Sequence, residues 1–374
     1  MPNHDDNIKH VEISLIQVPL KNPVSDAKVL TGRQKPLSHV ALLTAEIETV
    51  HGARGFGFSY TLRAGSAAIY AHAQELAPFL IDEDPNDIGR LWEKLAWQGA
   101  SIGRSGLAVQ AIAAFDTALW DLKARRVDLS LGKFLGCYRT AIPCYNTSGG
   151  YLNATLDEVL RNVDTSLDKG LGGIKLKVGQ PDLAKDIERV RAVRKHVGDS
   201  VPIMVDANQQ WDYTTALRAG CELDEFNLVW LEEPLSAYDY AGHARLSERL
   251  KTPIATGEML SSVAEVQNLI EHRSVTFLQP DVPRVGGFTP FLKIMGQAEQ
   301  HRLKLAPHFV MEQHVHMAAA FQNETWVEHI EWLEPAFNER LEIRNGSMHL
   351  PTRPGVGFSL SEQALQWRVA NARI

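Results

Sequence analysis

The chain has 374 residues, of which 44% are hydrophobic and 22% charged, a composition that excludes a disordered protein. This length exceeds a usual single domain of roughly 100–200 residues and predicts one large domain with a smaller partner domain. The formal net charge of −7 argues against a nucleic-acid-binding surface, which needs an excess of Lys and Arg, and favours a small-molecule partner.

The first ten residues are polar and acidic and contain no apolar segment of the kind found in signal peptides. No later stretch approaches the roughly 18 apolar residues of a membrane span, so we expect a cytoplasmic protein that does not bind membranes. The chain has 3 cysteines without CxxC spacing, which predicts neither a disulfide framework nor a thiolate zinc site.

The N-terminal third combines strand and helix patterns. Apolar residues alternate from Val11 to Leu15, and residues 39–60 contain two β-rich segments joined at His51, which predicts an antiparallel hairpin. Residues 106–125 are rich in alanine and place their apolar side chains on one helical stripe. We therefore expect residues 1–135 to form an α+β domain.

After about residue 140 the pattern changes to short apolar runs separated by longer amphipathic stretches such as 182–197 and 239–250, which is typical of repeated βα units. About eight such parallel strands close into a barrel, so we expect an α/β barrel domain over residues 136–349. Barrel enzymes carry their chemistry on the loops at the strand C-termini. The successive strand candidates are GGIKLKVG, VPIMVDAN, LVWLEEP, PIATGEM, TFLQPD, LKLAPH and ETWVEH.

Each of these strand candidates ends in an ionisable residue, and successive members of the set are separated by 20 to 29 residues, close to one βα unit. One such residue per unit predicts a ring of polar side chains at one end of the barrel. The members of this ring are Lys175 and Lys177, Asp206, Glu232, Glu258, Asp281, His308 and Glu328.

Three carboxylates of the ring come from consecutive units, namely Asp206, Glu232 and Glu258. They would repel one another unless a cation lies between them. An all-oxygen ligand set that leaves positions for water and substrate suits Mg²⁺ better than zinc, which predicts one Mg²⁺ in each subunit. We expect Glu233 to contact Glu232 and hold it in place without binding the metal itself.

Two possible acid/base groups flank these carboxylates. Lys175 and Lys177 are two residues apart on one strand, so both point into the barrel, where mutual repulsion and a nearby Mg²⁺ are expected to lower a lysine pKa. Asp281 and His308 end neighbouring strands, close enough for the carboxylate to orient the imidazole. The sequence thus predicts a lysine base on one side of the metal and a histidine acid/base on the other.

These parts suit removal of the weakly acidic proton next to a substrate carboxylate, because Mg²⁺ can stabilise the enediolate that forms. Reprotonation on the opposite face would make the protein a racemase or epimerase of a 2-hydroxy acid. Loss of a β-hydroxyl, protonated by a nearby acid, would make it a dehydratase that produces a keto acid. The same residues serve both reactions.

The whole chain resembles the mandelate racemase subgroup of the enolase superfamily, in which a Lys or His base and Mg²⁺ act on an enediolate. The resemblance implies a (β/α)7β TIM-like barrel, with an α+β capping domain that is completed by about residues 350–374. It also implies that Lys177 and His308 exchange protons, Asp281 orients His308, Lys175 lies near the substrate carboxylate, and Glu328 hydrogen-bonds the enediolate. The motifs that carry it are Lys175-x-Lys177, Asp206, Glu232-Glu233-Pro234, Gly257-Glu258, Asp281 and His308.

A closer similarity is to L-talarate/galactarate dehydratases, carried by the strings PVSDAKVLTGRQKPL, GFGFSYTLRAG, NTSGG, VDANQQWD, EEPLSAYD, ATGEML, QPDVPRVGG and APHFVME. It implies a carbon–oxygen lyase that dehydrates a dicarboxylate acid sugar to a keto-deoxy-aldarate, with some epimerisation, in a homo-oligomer such as an octamer. It also implies that Asp26, Lys28 and Arg63 contact the substrate, and cations at both ends of the cavity suit a diacid. Leu62 stands where this similarity leads us to expect a lysine. Asn208 and Thr147 are further strand-end candidates for substrate hydrogen bonds.

Overall fold

The computed structural model describes residues 6–147 and 150–374. Its N-terminal part contains three long strands followed by helices, with a short helix between the first two strands. The elements are β1 (Ile8–Val24), α1 (Ala27–Leu30), β2 (Leu37–Thr49), β3 (Arg54–Leu62), α2 (Ser66–Leu76), α3 (Ile88–Gln98), α4 (Leu107–Arg125) and α5 (Leu131–Phe134).

Strands and helices then alternate over nearly two hundred residues. These elements are β4 (Ala141–Asn146), α6 (Leu156–Asp168), β5 (Gly173–Lys177), α7 (Leu183–Val197), β6 (Ile203–Asp206), α8 (Tyr213–Leu223), β7 (Leu231–Glu232), α9 (Tyr240–Ser247), β8 (Ile254–Thr256), α10 (Val263–Glu271), β9 (Phe277–Leu278), α11 (Val282–Val285), α12 (Phe288–Gln300), β10 (Lys304–Leu305), α13 (Met311–Ala320) and β11 (Val327–His329). The chain ends with β12 (Ile343–Arg344), β13 (Ser347–His349), α14 (Glu362–Gln366) and β14 (Arg368–Arg373).

The strands β4 to β10 are hydrogen bonded in sequence order and are parallel, as helical crossovers require. β11 pairs in parallel with β4, and a parallel bridge joins Leu305 to Thr325, so the sheet closes on itself. The predicted (β/α)7β barrel is therefore confirmed. Its strands are short, and the hairpin of β12 and β13, which pairs antiparallel with β4, has no counterpart in the sequence prediction.

The second sheet has the order β14-β1-β2-β3, so the C-terminal strand completes the N-terminal sheet. The predicted hairpin is confirmed, since β2 and β3 are antiparallel with Val40 opposite Leu62 and Glu48 opposite Arg54. The strands β2 and β3 of this capping sheet are buried on both faces over most of their length. Val11 and Leu43 pack with the helices α2 to α4, whereas neighbouring residues of the opposite face pack with the barrel.

A close contact between β3 and α4 holds the capping sheet against its helices. A Cβ atom on Gly57 would lie 2.3 Å from the backbone oxygen of Ala114, which explains the glycine alternation in GFGFSY. Asp121 on α4 is fully buried and accepts hydrogen bonds from the backbone N–H groups of Phe56 (2.8 Å) and Val356 (2.6 Å). This one carboxylate joins the helix, the capping sheet and the C-terminal segment.

Beneath the strand C-termini, aromatic and small side chains fill the barrel, among them Tyr145, Trp230 and Phe277, whose rings lie within 5.1 Å of one another in successive pairs. This packed layer forms the floor on which the polar ring lies. No described helix combines the length and apolar character that a membrane crossing requires.

Candidate active site

Three buried carboxylates meet at the C-terminal end of the barrel. Asp206 and Glu232 end β6 and β7, and Glu258 lies two residues after β8. One oxygen from each carboxylate lies within 4.8 Å of the others. Burial, opposed by Lys175 and reinforced by neighbouring carboxylates, raises the pKa of Glu232 to about 7, which shows how strongly the cluster favours added positive charge. Three oxygen donors at this spacing fit a hard divalent cation such as Mg²⁺.

Both lysines of β5 point into this carboxylate cluster, as the strand alternation predicts. Lys175 Nζ donates hydrogen bonds to Glu232 at 2.7 and 2.9 Å, and it lies 2.7 Å from Glu328 Oε1. Lys177 Nζ donates to Asp206 Oδ2. The expected lowering of a lysine pKa depends on a nearby Mg²⁺ and stays a prediction. Burial lowers the pKa of Lys177, but the Asp206 charge outweighs burial and the repulsion from Lys175, so the net shift is upward.

The predicted histidine–aspartate pair is also brought together. His308 Nδ1 lies 3.0 Å from Asp281 Oδ2, and its Nε2 lies 3.6 Å from Glu258 Oε2. Burial lowers the pKa of His308, but Glu258 and the Asp281 hydrogen bond outweigh it, so the pKa lies above its ordinary value. Both residues lie three positions beyond the ends of β9 and β10, where Asp281 also caps α11 through the Arg284 N–H.

Glu328 on β11 lies on the other side of Lys175. It accepts hydrogen bonds from Thr147 Oγ1 at 2.5 Å and from the Phe309 N–H at 2.9 Å. Burial raises its pKa, but the positive charges of Lys175 and His308 outweigh burial and lower it to about 2. A carboxylate in this state accepts hydrogen bonds, as Glu328 does from Thr147 and Phe309.

Two other strand-end predictions have different outcomes. Asn208 lies in the site, where its backbone N–H and side-chain amide donate to Asp206 at 2.8 and 3.1 Å. Glu233 does not contact Glu232 in the way we expected. It accepts from Gln209 Nε2 at 3.0 and 3.1 Å, and burial together with Glu258 raises its pKa well above the ordinary value. Glu232 instead receives hydrogen bonds from Trp230 (2.9 Å) and Gln279 (2.7 Å), two partners that the sequence reasoning missed.

The capping part supplies the other wall of the cavity. Asp26 caps α1 by accepting from the Lys28 N–H at 2.9 Å, and Arg63 Nη2 lies 3.4 Å from Asp26 Oδ2. Lys28 has no salt-bridge partner among residues 6–147 and 150–374, and its charge reaches Glu258 and Glu233. Leu62, the position where a lysine was expected, also lines this cavity.

One cavity of about 170 Å³ joins the two halves of the site. The sequence reasoning missed Tyr151, Arg284 and Trp332, which line it beside the predicted residues. Arg284 lies within QPDVPRVGG, one of the strings that carried the resemblance, and its position three residues after Asp281 was the available signal. Residues 148 and 149 of the NTSGG string lie outside the described residues.

Comparison with known proteins agrees with this arrangement. Residues 15–136 match the family model for the mandelate racemase / muconate lactonizing enzyme N-terminal domain, and residues 158–364 match the model for the enolase C-terminal domain-like family. The L-talarate/galactarate dehydratase of Salmonella typhimurium is 59% identical over 362 residues, which is 97% of this chain and 91% of that protein.

Solved structures of related dehydratases share the fold. The L-talarate/galactarate dehydratase of Salmonella typhimurium, liganded with Mg and L-lyxarohydroxamate, has a TM-score of 0.98 at 57% identity and covers 99% of this chain and 95% of that one. The L-talarate dehydratase of Polaromonas sp., complexed with Mg and L-glucarate, has a TM-score of 0.97 at 61% identity, with 99% of both chains covered. The chain belongs to the mandelate racemase/muconate lactonizing enzyme family of the enolase superfamily.

Proposed function

We propose that the protein is a Mg²⁺-dependent hydro-lyase that removes water from galactarate or L-talarate and yields a keto-deoxy-aldarate. The observation that carries the proposal is the position of Lys177 and His308. Lys177 on β5 and His308 in the loop after β10 line one cavity. The three carboxylates come from β6, β7 and the loop after β8, which lie between β5 and β10 in the barrel. Simple binding of an acid sugar needs no acid/base group on both sides. The activities named for the similar proteins support dehydration over the racemase alternative.

Asp206, Glu232 and Glu258 would hold the Mg²⁺ ion, because their oxygens converge within 4.8 Å and all three side chains are buried. When bound, the ion neutralises the negative charge that develops on the substrate carboxylate as the α-proton leaves. Lys175, held at 2.7 Å by both Glu232 and Glu328, places a second positive charge at the same end of the cavity.

Lys177 is proposed as the base that takes the α-proton. Its Nζ contacts Asp206, so occupation of the carboxylate site weakens the pairing that keeps the lysine protonated. Asn208 donates to both Asp206 oxygens and keeps that carboxylate fixed while its partners change. Glu328 receives three donors and holds the Lys175 ammonium in place.

His308 is proposed as the acid that delivers a proton to the departing β-hydroxyl. Its Nδ1 is committed to Asp281 at 3.0 Å, so Nε2 is the atom that faces the cavity and donates. In the whole reaction one C–H bond and one C–O bond break, water leaves, and the resulting enol tautomerises to a keto acid. Return of a proton to the α-carbon from His308 instead of Lys177 inverts that carbon, which accounts for an epimerase side activity.

Lys28 and Arg63 are proposed to bind the second carboxylate of the diacid. Lys28 has no carboxylate partner within 4 Å among the described residues, whereas Arg63 is shared with Asp26, so Lys28 supplies the less committed positive charge. Leu62 offers no charge in the same wall. A monoacid sugar of the same length would leave Lys28 unpaired and should be a weaker substrate.

The test is an endpoint screen of Mg²⁺-loaded protein against mono- and diacid sugars, with keto acid trapped by semicarbazide. We expect a signal with galactarate and L-talarate, little with galactonate, and none after treatment with a chelator. If no acid sugar gives keto acid while calorimetry shows bound Mg²⁺, the dehydratase proposal fails. Deuterium incorporation at the α-carbon in D₂O would then favour the racemase or epimerase alternative.

We further propose that the protein is a homo-oligomer, with an octamer as the form to test, and that it acts in the cytoplasm without binding nucleic acid. The net charge of −7 supports the last point. The domain division, with residues 1–135 and about 350–374 in the cap and 136–349 in the barrel, is proposed on the same basis. Light scattering tests the oligomer, and limited proteolysis tests the boundaries.

A further inference from the structure

Tyr60 is a fully buried residue near the end of β3 in the capping sheet. Its hydroxyl donates a hydrogen bond of 2.6 Å to Asp281 Oδ2. This is the same oxygen that lies 3.0 Å from His308 Nδ1. The other oxygen of Asp281 is occupied by the Arg284 N–H at 3.1 Å. A residue of the cap therefore shares the one carboxylate oxygen that orients His308.

The direction of this hydrogen bond is settled by its neighbours. Arg284 Nε donates to the Tyr60 hydroxyl oxygen at 3.1 Å, and a guanidinium has no acceptor atom. The Tyr60 hydroxyl therefore donates its proton to Asp281. Burial, together with the nearby Asp281 charge, raises the pKa of Tyr60 well above its ordinary value, which keeps that proton in place.

The ring of Tyr60 holds the same segment by packing. It meets Phe309, the residue after His308, edge to face with ring centroids 4.8 Å apart. The backbone of Phe309 has a φ of 68°, in the left-handed region that a bulky residue rarely adopts, so this loop needs outside support. Arg284 is itself anchored, since its Nη1 donates to the Glu258 backbone oxygen at 2.8 Å.

Without the hydroxyl, Arg284 would lose its acceptor beside a buried carboxylate. The guanidinium would then pair directly with Asp281, because a half-buried guanidinium with an unpaired Nε–H beside a fully buried carboxylate favours an ion pair with it. Such a pair would compete with His308 for Asp281 Oδ2. Tyr60 thus keeps the Arg284 guanidinium away from the carboxylate oxygen that contacts His308.

We propose that Tyr60 is a positioning residue through which the capping sheet sets the orientation of His308. The inference rests on the acid/base role of His308 in the proposed function. It concerns the step that uses His308 and leaves the Lys177 step and the metal site unchanged. The cap thereby contributes to the chemistry of the barrel as well as to closure of the cavity.

Tyr60→Phe tests this inference, with Tyr70→Phe on α2 of the same domain as the matched control. Loss of one hydrogen bond to a charged group predicts a fall in kcat for galactarate of about 10-fold to 100-fold. KM should stay within about threefold, and Mg²⁺ affinity should be unchanged. A merely structural role would lower the melting temperature and the fraction of active sites while kcat per metal-binding site stayed within twofold, and that result would overturn the inference.

A double-variant cycle separates action through His308 from any other effect. In a His308→Asn background, Tyr60→Phe should not lower the residual α-proton exchange in D₂O any further, whereas an equal additional loss would contradict the inference. The crystal structure of Mg²⁺-loaded Tyr60→Phe should show Asp281 paired with Arg284 and separated from His308 Nδ1. If the His308 ring has not moved in that structure, the inference is refuted. Absence of turnover with every acid sugar in the wild-type protein would instead count against the proposed function alone.

Discussion

Lys177→Met removes the ammonium group that contacts Asp206 and keeps a side chain of similar length. We expect two opposite results. Dehydration should fall by about 10²–10⁴-fold, the range for loss of a general base, whereas Mg²⁺ should bind more tightly. The second result follows because Lys177 Nζ is hydrogen bonded to Asp206, one of the three carboxylates that would hold the cation.

The size of the gain can be estimated from the same contact. Lys177 is 9% exposed and Asp206 is fully buried, so water screens their interaction only weakly. A hydrogen bond to a charged group is worth about 1.5–3 kcal/mol, which corresponds to a Kd for Mg²⁺ that is lower by about 10-fold to 100-fold. The interactions of Lys177 with Glu232 and Glu258 add to the gain, because less positive charge remains to offset the repulsion between these carboxylates.

Calorimetric titration of chelator-treated protein with Mg²⁺ measures the affinity, and trapping of keto acid measures turnover. Lys195→Met, at an exposed position on α7, is the matched control and should change neither quantity. Weaker Mg²⁺ binding in Lys177→Met would refute the competition for Asp206, and retained turnover would refute the role of Lys177 as base.

Three further outcomes are expected. His308→Asn should lower dehydration by at least about 100-fold while Mg²⁺ affinity measured by calorimetry stays within about threefold; a large loss of metal would contradict its assignment as the acid. Burial raises the pKa of Glu312 from 4.5 to about 8, so folding takes up a proton between these values and stability is lost as the pH rises through them. In Glu312→Gln the drop in melting temperature between about pH 5 and about pH 9 should be smaller than in the wild type, and an equal drop in both proteins would contradict this prediction. Asp121→Asn should cost about 2–4 kcal/mol in urea unfolding, because an NH₂ group would face the Phe56 or Val356 N–H; an unchanged midpoint would show that these bonds do not carry stability.

The barrel was predictable because its evidence is local. Short apolar runs, amphipathic stretches and one ionisable residue per unit all appear within windows of about thirty residues, and the strand-end rule converts them into one ring. The predicted ring forms although the strands are shorter than expected. Asp281 and His308 lie three residues beyond their strands, yet both remain at the same end of the barrel because β9 and β10 are adjacent.

The contacts among these residues were less predictable. Tyr60 and Asp281 are separated by 221 residues, and nothing in either segment indicates that a capping strand ends beside this carboxylate. Glu232 was expected to be supported by Glu233, but its partners are Trp230, two residues earlier in the chain, and Gln279, which follows β9. Support for Glu232 depends on where side chains point, and the positive φ of Glu233 turns it away.

By itself, the sequence determined the fold class, the ring of ionisable residues and the choice of a hard cation, because each depends on residue type and spacing along the chain. Only the tertiary structure decided which charges pair. The protein's own groups raise the pKa of Lys177, because Asp206 contacts it while Lys175 is occupied by Glu232 and Glu328. Charge interactions between buried groups depend on separations of a few ångströms and on burial, and both arise only when strands distant in sequence are brought together.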